Sequence, residues 1–261
     1  MSPPAGTLRI VNRPALKPFF RSLRRGCAGV LFPPCCCGCG AALPDSPAGG
    51  PPEEFCHGCA AELALITGAA CAKCGAPSAL PRPDGRCVHC QGHPMRFDHA
   101  LAVGVYDGLW RRLVLAAKQP TGEGVAAALG RLAARSVAGS EHEVADLVTC
   151  VPMHWRRRLA RRHNPPEVMG EVLSRKLGLP FEPRLLAWRR GVRKQADLSQ
   201  TDRRRNVRQA LRLRPGFRIA GARVMVVDDI LTTGATCSEA ARALRQAGAV
   251  RVVAVVAARS L

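Results

Sequence analysis

The stretch Val-Val-Asp-Asp-Ile-Leu-Thr-Thr-Gly-Ala-Thr, residues Val226 to Thr236, decides the fold of this chain and points to its function. An apolar run from Val224 to Val227 predicts a buried strand, and this strand ends at the adjacent carboxylates of Asp228 and Asp229. Small hydroxylated residues and a glycine follow, and a helix-forming run then extends from Ser238 to Gln246. The pattern is typical of a strand, a tight turn and a helix N-terminus.

This turn suits a phosphate group that is attached to a sugar. Free N–H groups at a helix start, together with the positive end of the helix dipole, favour an anion. Thr232, Thr233 and Thr236 add hydroxyl donors, and Gly234 lets the backbone come close to the anion. The carboxylates would repel a phosphate, so they are better suited to accept hydrogen bonds from sugar hydroxyls. The alternative is an ordinary strand–turn–helix in which the Asp pair merely caps the helix.

The pattern Asp-Asp-x-x-Thr-Thr-Gly-x-Thr after a hydrophobic strand resembles the phosphoribosyl pyrophosphate (PRPP) motif of type I phosphoribosyltransferases. The resemblance implies that Asp228 and Asp229 hold the ribose 2′- and 3′-hydroxyls of PRPP, which binds with Mg²⁺. It also implies a loop that wraps the 5′-phosphate, formed by Leu231, Thr232, Thr233, Gly234, Ala235 and Thr236.

In the same enzymes, the loop after the first core strand holds the pyrophosphate. By position, this role passes to Pro152 and Met153. Backbone amides at a strand-to-helix turn can bind an anion whatever the side chains are. An ordinary short connection is the alternative for this turn.

Composition predicts one sizeable domain and a small module. The chain has 261 residues, and 47% of them are hydrophobic but only 4% aromatic, which predicts a core rich in Ala, Val and Leu. No apolar run approaches the roughly 20 residues that cross a bilayer. The basic N-terminus has no acid before Asp45 and lacks the apolar segment of a secretory signal. An amphipathic helix around Leu16 to Leu31 is predicted there, with an Arg-rich transit peptide as the alternative.

The cysteines predict two zinc ribbons. Of 13 cysteines, eight form Cys-x-x-Cys pairs, namely Cys36/Cys39, Cys56/Cys59, Cys71/Cys74 and Cys87/Cys90. A repeated two-residue spacer is typical of zinc knuckles, and disulfides or a redox pair are the alternatives. Gly40 and Gly75 follow their pairs, where a tight turn favours glycine. Two structural Zn²⁺ ions would supply folding energy and imply a reducing cytoplasm. Cys35 or Cys37 could take the place of Cys36.

After residue 96 the sequence alternates between strands and helices. The predicted strands are Ala100–Tyr106, Leu147–Val151, Val224–Val227 and Val250–Val256. The predicted helices are Leu109–Ala117, Val125–Ala138, Glu167–Leu177 and Ser238–Gln246. Such alternation predicts an α/β fold, a parallel sheet with helices on both faces and ligands at the carboxyl ends of its strands. We therefore predict a basic N-terminal segment (1–30), a double zinc ribbon (31–95) and a phosphoribosyltransferase-like domain (96–261).

A double zinc ribbon ahead of a PRPP-type domain resembles the ComF/GntX-like family. The resemblance extends to Leu31–Pro34, to Tyr106, Gly108 and Lys118, and to Val151–His154 followed by Arg157, Arg161, Arg162 and Asn164. One position departs from the family pattern, because Pro165 stands where the family usually has Gln. The family implies a link with natural competence, and thus single-stranded DNA and competence proteins as partners.

Positive charge is concentrated between Arg156 and Arg218, where 17 Arg and 2 Lys face 5 acidic residues. Within it, Arg189 to Leu198 has no apolar periodicity, and the type I resemblance places a flexible loop there. Closing this loop would bring Arg193 or Lys194 over the pyrophosphate. A solvated charged surface is the alternative. The net charge of +20 also permits binding to single-stranded DNA.

Three functions are compatible with the sequence. The first is a cytoplasmic phosphoribosyltransferase that uses PRPP or a related sugar phosphate, with Asp228, Asp229, Arg193 and Lys194 as its catalytic residues. The second is a protein that senses PRPP without consuming it, and the third is a single-stranded-DNA-handling protein. The sequence indicates neither a general base, nor the acceptor, nor an oligomeric state.

Overall fold

A computed structural model describes residues 34–44, 54–78, 86–92, 95–140, 145–153, 161–189 and 209–261. These residues form two compact units, which divide between Ala60 and Ala61. The N-terminal helix predicted at residues 16–31 lies outside the described residues. So do Arg193 and Lys194, with most of their predicted loop.

The chain alternates between strands and helices, as predicted. In order, the elements are α1 (His57–Glu62), β1 (His99–Val105), α2 (Gly108–Ala117), α3 (Glu123–Ala138), β2 (Leu147–Cys150), α4 (Pro165–Leu177), β3 (Leu186–Trp188), β4 (Leu211–Leu213), β5 (Arg223–Leu231), α5 (Ala235–Gln246) and β6 (Arg251–Arg259). Each strand and helix predicted after residue 96 overlaps an observed element.

The main sheet has four parallel strands in the order β1-β6-β5-β2. Strand residues alternate between its faces. Val224 and Val226 belong to one buried cluster with Ala240 and Leu244 of α5. Helices α3 and α4 pack together and against the sheet. The predicted α/β fold with a parallel sheet is therefore confirmed.

Strand β5 is longer than predicted. The apolar run stops at Val227, but pairing with β6 continues through Asp228↔Val256 and Ile230↔Ala258 to Leu231↔Arg259. The prediction that the strand ends at the acidic pair was wrong, because backbone pairing with a neighbouring strand continues past the hydrophobic residues. Both carboxylates therefore lie on a strand with a fixed backbone.

The second cysteine group belongs to the larger unit and to the core of its sheet. Its four cysteines lie in the same buried cluster as Val224 and Val226. A Cβ atom at Gly75 would lie 2.9 Å from both the Ala100 carbonyl oxygen and the Ala102 nitrogen, so only glycine lets this knuckle pack so closely on β1. The predicted boundaries at residues 30 and 95 stay predictions.

A small antiparallel hairpin, β3–β4, was not predicted, because each strand has only three residues. A buried ion pair on α5 holds it. The Arg242 Nη2 atom lies 2.6 Å from Glu239 Oε1 and donates to the Leu211 carbonyl at 2.7 Å. The Leu211 amide donates to Glu239 Oε1 at 3.3 Å. The pair thus fixes β4 to α5.

We expect Arg242→Met to lower the free energy of unfolding by about 3–5 kcal/mol, because it leaves a buried carboxylate without its cation. Urea unfolding at neutral pH measures this. The matched control is Arg175→Met, which breaks an exposed pair with Glu171 and is expected to cost less than about 1 kcal/mol. Equal losses for the two variants would contradict the proposed clamp.

Candidate functional site

The two carboxylates at the end of β5 point to opposite sides of the strand, as successive strand residues do. Asp228 is 9% exposed and accepts from the Asp229 amide at 2.9 Å and from Cys237 Sγ of α5 at 3.7 Å. Asp229 faces the end of α2, where its Oδ2 atom lies 2.7 Å from Lys118 Nζ. One carboxylate thus lies against the helix that follows the loop, and the other is paired with a lysine.

The surroundings of Asp228 favour its neutral form. Burial, and then the charge of Asp229, raise the pKa of Asp228 to about 7. Burial also raises the pKa of the Cys237 thiol beneath it, and the charge of Asp228 adds to this effect. A group that gains or loses its charge near neutral pH therefore lies at the end of β5.

Residues Thr232 to Gly234 connect β5 to α5. Gly234 has a φ of +71° and occupies the N-cap position, where it offers no side chain to cap the helix. Thr233 Oγ1 accepts from the Ala235 amide at 3.4 Å. The amides of the first helical turn have no carbonyl partner within a helix, so this N-terminus can donate to an anion.

The segment that follows the second cysteine group forms the floor of this loop. A Cβ atom at Gly234 would lie 3.2 Å from Met95 Cε and 3.6 Å from the ring of Phe97, which is fully buried. The Arg96 amide donates to Ser238 Oγ of α5 at 3.0 Å. Glycine is therefore favoured at position 234 by its φ, and a side chain there would also press on the end of Met95.

The turn predicted to hold pyrophosphate lies at the carboxyl end of β2. Because β2 and β5 are parallel neighbours, this turn and the acidic pair lie at the same edge of the sheet. The Pro152 carbonyl accepts from Trp188 Nε1 at 2.6 Å, and the Val151 carbonyl accepts from the buried Asn164 side chain at 3.2 Å. Pro152 has no N–H, so the first amide that this turn can offer is that of Met153. Residues 154–160 lie outside the described residues.

Pro165, which departs from the family pattern, is compatible with the helix that begins at this position. Pro165 and Pro166 occupy the first turn of α4, where a proline loses no helical hydrogen bond. Asn164 therefore keeps its place before the helix and its bond to the Val151 carbonyl.

Sequence reasoning assigned no site role to Lys118. The residue lies directly after α2, and His163 Nε2 holds the preceding Ala117 carbonyl at 2.8 Å. Its ion pair with Asp229 brings it into the site. The one signal in the sequence was its presence among the residues that carry the ComF/GntX-like resemblance.

The eight paired cysteines form the two groups that the sequence predicted, Cys36, Cys39, Cys56, Cys59 and Cys71, Cys74, Cys87, Cys90. Within each group the sulfur atoms lie within 4.8 Å of one another. The Cys39 and Cys56 sulfur atoms of the first group lie 3.7 Å apart, and sulfur–sulfur distances in the second group include 3.5, 3.7 and 3.9 Å. Tetrahedral zinc with Zn–S bonds of about 2.3 Å places sulfur atoms about 3.8 Å apart. Both groups could hold zinc, and no described cysteine forms a disulfide.

The first knuckles of the two groups share one geometry. Gly40 and Gly75 have φ values of +77° and +68°, and their amides donate to the Cys36 and Cys71 carbonyls at 2.9 and 2.8 Å. Of the three consecutive cysteines Cys35, Cys36 and Cys37, only Cys36 belongs to the first group. Burial raises the pKa of Cys36, but amide donors from Cys56 and Gly38 outweigh it and lower the pKa to about 6. This sulfur therefore favours the thiolate that a metal needs.

Among the described helices, none is both long and apolar enough to cross a membrane.

The fold and the loop after β5 define a domain of the phosphoribosyltransferase class. Residues 167–261 match the family model described as "Phosphoribosyl transferase domain". A DNA utilization protein YhgH from Salmonella typhimurium is 30% identical over 187 residues, which cover 70% of this chain and 80% of that protein. Competence protein F from Haemophilus influenzae is 26% identical over 199 residues, which cover 74% of this chain and 85% of that protein. The chain belongs to the ComF family.

Among solved structures, a glutamine PRPP amidotransferase from B. subtilis complexed with ADP and GMP is 28% identical to this chain, with a TM-score of 0.37. The match covers 53% of this chain but only 28% of that one.

We expect the purified protein to contain about two zinc ions per chain, since each group offers four ligands. Cys36→Ser and Cys74→Ser should each lower the zinc content to about one. Elemental analysis measures this. Cys150→Ser, at a buried cysteine outside both groups, should leave the zinc content unchanged. Well below two ions in the wild-type protein would contradict two zinc sites.

The raised pKa of Asp228 predicts how stability depends on pH. The folded state holds a proton on Asp228 up to a pH of about 7, whereas the ordinary value is 3.8, so its contribution to stability is lost as pH rises through this window. Asp228→Asn should therefore be more stable than the wild type at pH 8, by roughly 1–3 kcal/mol, and show little gain at pH 4. Urea unfolding across this pH range measures the difference.

Asp146→Asn is the control, in which the change in stability should depend on pH in the opposite direction. Hydrogen bonds from Arg223 hold the pKa of Asp146 below its usual value, so its contribution is present near neutral pH and is lost as pH falls. This variant should be destabilised at pH 8 and approach the wild type in acid. A pH-independent effect of Asp228→Asn would contradict the raised pKa.

Proposed function

We propose that this protein binds PRPP with Mg²⁺ and transfers its phosphoribosyl group to a nucleophile, with release of pyrophosphate. One observation carries the proposal: β5 places Asp228 and Asp229 near its end, before a glycine-containing loop and a helix N-terminus whose N-cap residue is Gly234. A sugar phosphate needs both features, because its hydroxyls need acceptors and its phosphate needs donors.

In this proposal the 5′-phosphate lies on the loop. The amides and hydroxyls of residues 232–236 would bind it, supported by the α5 dipole. Leu231 is fully buried and anchors the start of the loop, while Ala235 begins the helix. The ribose hydroxyls would donate to Asp228 and Asp229.

The pyrophosphate needs compensation of its negative charge. Two carboxylates close to it would be repulsive, and Lys118 offsets one of them through its ion pair with Asp229. Met153 offers an amide at the neighbouring strand end. Mg²⁺ prefers oxygen ligands, so a bound ion would coordinate the diphosphate and offset part of its negative charge. Arg193 and Lys194 are proposed to close over the same group.

The transfer then follows from position and charge. The nucleophile bonds to ribose C1 as the bond from C1 to the pyrophosphate oxygen breaks, and the bonding electrons leave with pyrophosphate. Positive charge develops on the sugar in the transition state, and the carboxylate of Asp229, together with that of Asp228 when it is ionised, would stabilise it. No general base is assigned among the residues that the structure describes.

We expect Mg²⁺ and PRPP to raise the melting temperature of the wild-type protein. Asp228→Asn combined with Asp229→Asn should abolish this rise, because the ribose hydroxyls lose their carboxyl acceptors, while the fold is retained. Differential scanning fluorimetry measures the shift, and Asp146→Asn, at a carboxylate paired with Arg223, is the control that keeps it. An undiminished rise in the double variant would contradict the role of the acidic pair.

Release of pyrophosphate separates an enzyme from a sensor. We propose incubating the protein with Mg²⁺, PRPP and a panel of bases and amines, and measuring pyrophosphate. Release that depends on an acceptor and is lost in the double variant supports transfer. PRPP binding without release for any acceptor would favour a PRPP-sensing protein.

Binding of single-stranded DNA is the second candidate function. The chain carries a net charge of +20, and its relatives are named for DNA utilization and competence. We expect binding to single-stranded oligonucleotides with an affinity that falls steeply as salt rises, because phosphate contacts release counterions. Fluorescence anisotropy from about 50 to 200 mM salt measures this. Undetectable binding at the lowest salt would contradict this function.

A further inference from the structure

Arg259, the last residue of β6, is a buried cation. It is 2% exposed and the largest of the fully buried side chains. The guanidinium group stays protonated in proteins, and a buried charge is costly unless it is compensated. Among the ion pairs of the described residues, none joins Arg259 to a carboxylate. Another group must therefore compensate the positive charge of Arg259.

On one side, Arg259 holds the start of the loop that follows β5. Its Nη1 atom donates to the Leu231 carbonyl at 2.8 Å and to the Thr232 carbonyl at 2.7 Å. In a trans peptide the C=O and N–H groups point in opposite directions. Holding these two carbonyls therefore turns the amides of Thr232 and Thr233 away from Arg259, which leaves them available to an anion on the other side.

On the other side, Arg259 contacts the second cysteine group. Its Nη2 atom donates to the carbonyl of His89, between Cys87 and Cys90, at 3.1 Å. Its positive charge also lies near the Cys74 sulfur. Its Nε atom is buried and has no oxygen or nitrogen partner. Four thiolates around one zinc ion carry a net charge of about −2, which would compensate the buried guanidinium.

A second connection between the cysteine group and the loop is independent of Arg259. Met95 and Phe97, which follow Cys90 in the sequence, lie under Gly234. The Arg96 amide bonds to Ser238 in the first turn of α5. Both ends of the loop are therefore held by residues that follow or contact the second cysteine group.

We propose that Arg259 is a positioning residue that couples metal occupancy of the second cysteine group to the conformation of the loop at residues 231–236. The metal-loaded group fixes the guanidinium, and the guanidinium fixes the peptide planes that present the loop amides. The coupling rests on the proposed phosphate-binding role of this loop for its functional meaning, but it can be measured without PRPP. The first cysteine group, in the smaller unit, serves as the comparison.

The test uses hydrogen–deuterium exchange of the full-length chain, followed in peptides that cover the loop and its hydrogen-bonded flanks, residues 227–238. Cys74→Ser and Arg259→Met should speed exchange of the bonded amides that flank the loop on the order of tenfold, and Arg259→Lys should give a smaller change. Cys36→Ser is the matched control, because it removes a metal ligand from the other group and should leave the loop unchanged. Unchanged loop exchange in folded Cys74→Ser and Arg259→Met would overturn the proposal.

A second measurement needs no substitution in the loop or the second group. In the wild-type protein loaded with ¹¹³Cd²⁺, each cysteine group should give its own ¹¹³Cd NMR resonance. The resonance that Cys36→Ser removes belongs to the first group. Mg²⁺ with PRPP should shift only the resonance of the second group, and a shift confined to the first group would overturn the coupling. This measurement decides the case if Arg259→Met does not fold.

The two proposals can fail separately. If the wild-type protein does not bind PRPP by calorimetry but its loop exchange responds to Cys74→Ser, the coupling holds and the proposed function fails. If it binds PRPP, and Cys74→Ser and Arg259→Met bind equally well with unchanged loop exchange, the proposed function stands and the coupling fails.

Discussion

Parallel pairing between β5 and β6, continued as far as Leu231 and Arg259, is the constraint on which the rest of this structure depends. It carries the backbone past the apolar residues, so that two adjacent acids lie on a rigid strand and point to opposite sides. It fixes the residue at which the loop begins. It also brings the end of β6 beside the loop, where Arg259 contacts the Leu231 and Thr232 carbonyls. The geometry of the site is thus set by sheet pairing, and the loop itself contributes amides and Gly234.

Much of the fold could be predicted, because its signals are local. The spacing of apolar residues identified the four strands of the main sheet and the helices α2 to α5, and a two-residue spacer identified the eight cysteines that form two groups. Gly40, Gly75 and Gly234 were predicted from turn chemistry, and all three have positive φ values. Each of these features depends on residues that are close together in the sequence, where propensity and pattern carry the information.

The features that could not be predicted depend on residues far apart in the chain. The true end of β5 is set by β6, and nothing in the run from Val224 to Val227 contains that information. Lys118 reaches Asp229 only because α2 packs where it does, and the β3–β4 hairpin is held by a buried ion pair on α5. The second cysteine group has the sequence of an autonomous ribbon, yet it is buried in the core of the sheet domain. These arrangements come from tertiary packing, which overrides local pattern.

The central claim is that a sugar phosphate binds with its anion on main-chain amides after β5 and its diol at the acidic pair. A crystal structure of the zinc-loaded protein with PRPP and Mg²⁺ tests it most directly. We expect density for the 5′-phosphate within hydrogen-bonding distance of the amides of residues 232–236, with the ribose hydroxyls at Asp228 and Asp229. Density for the ligand at another place, or a fully occupied crystal form in which this loop is closed by the protein's own side chains, would contradict it.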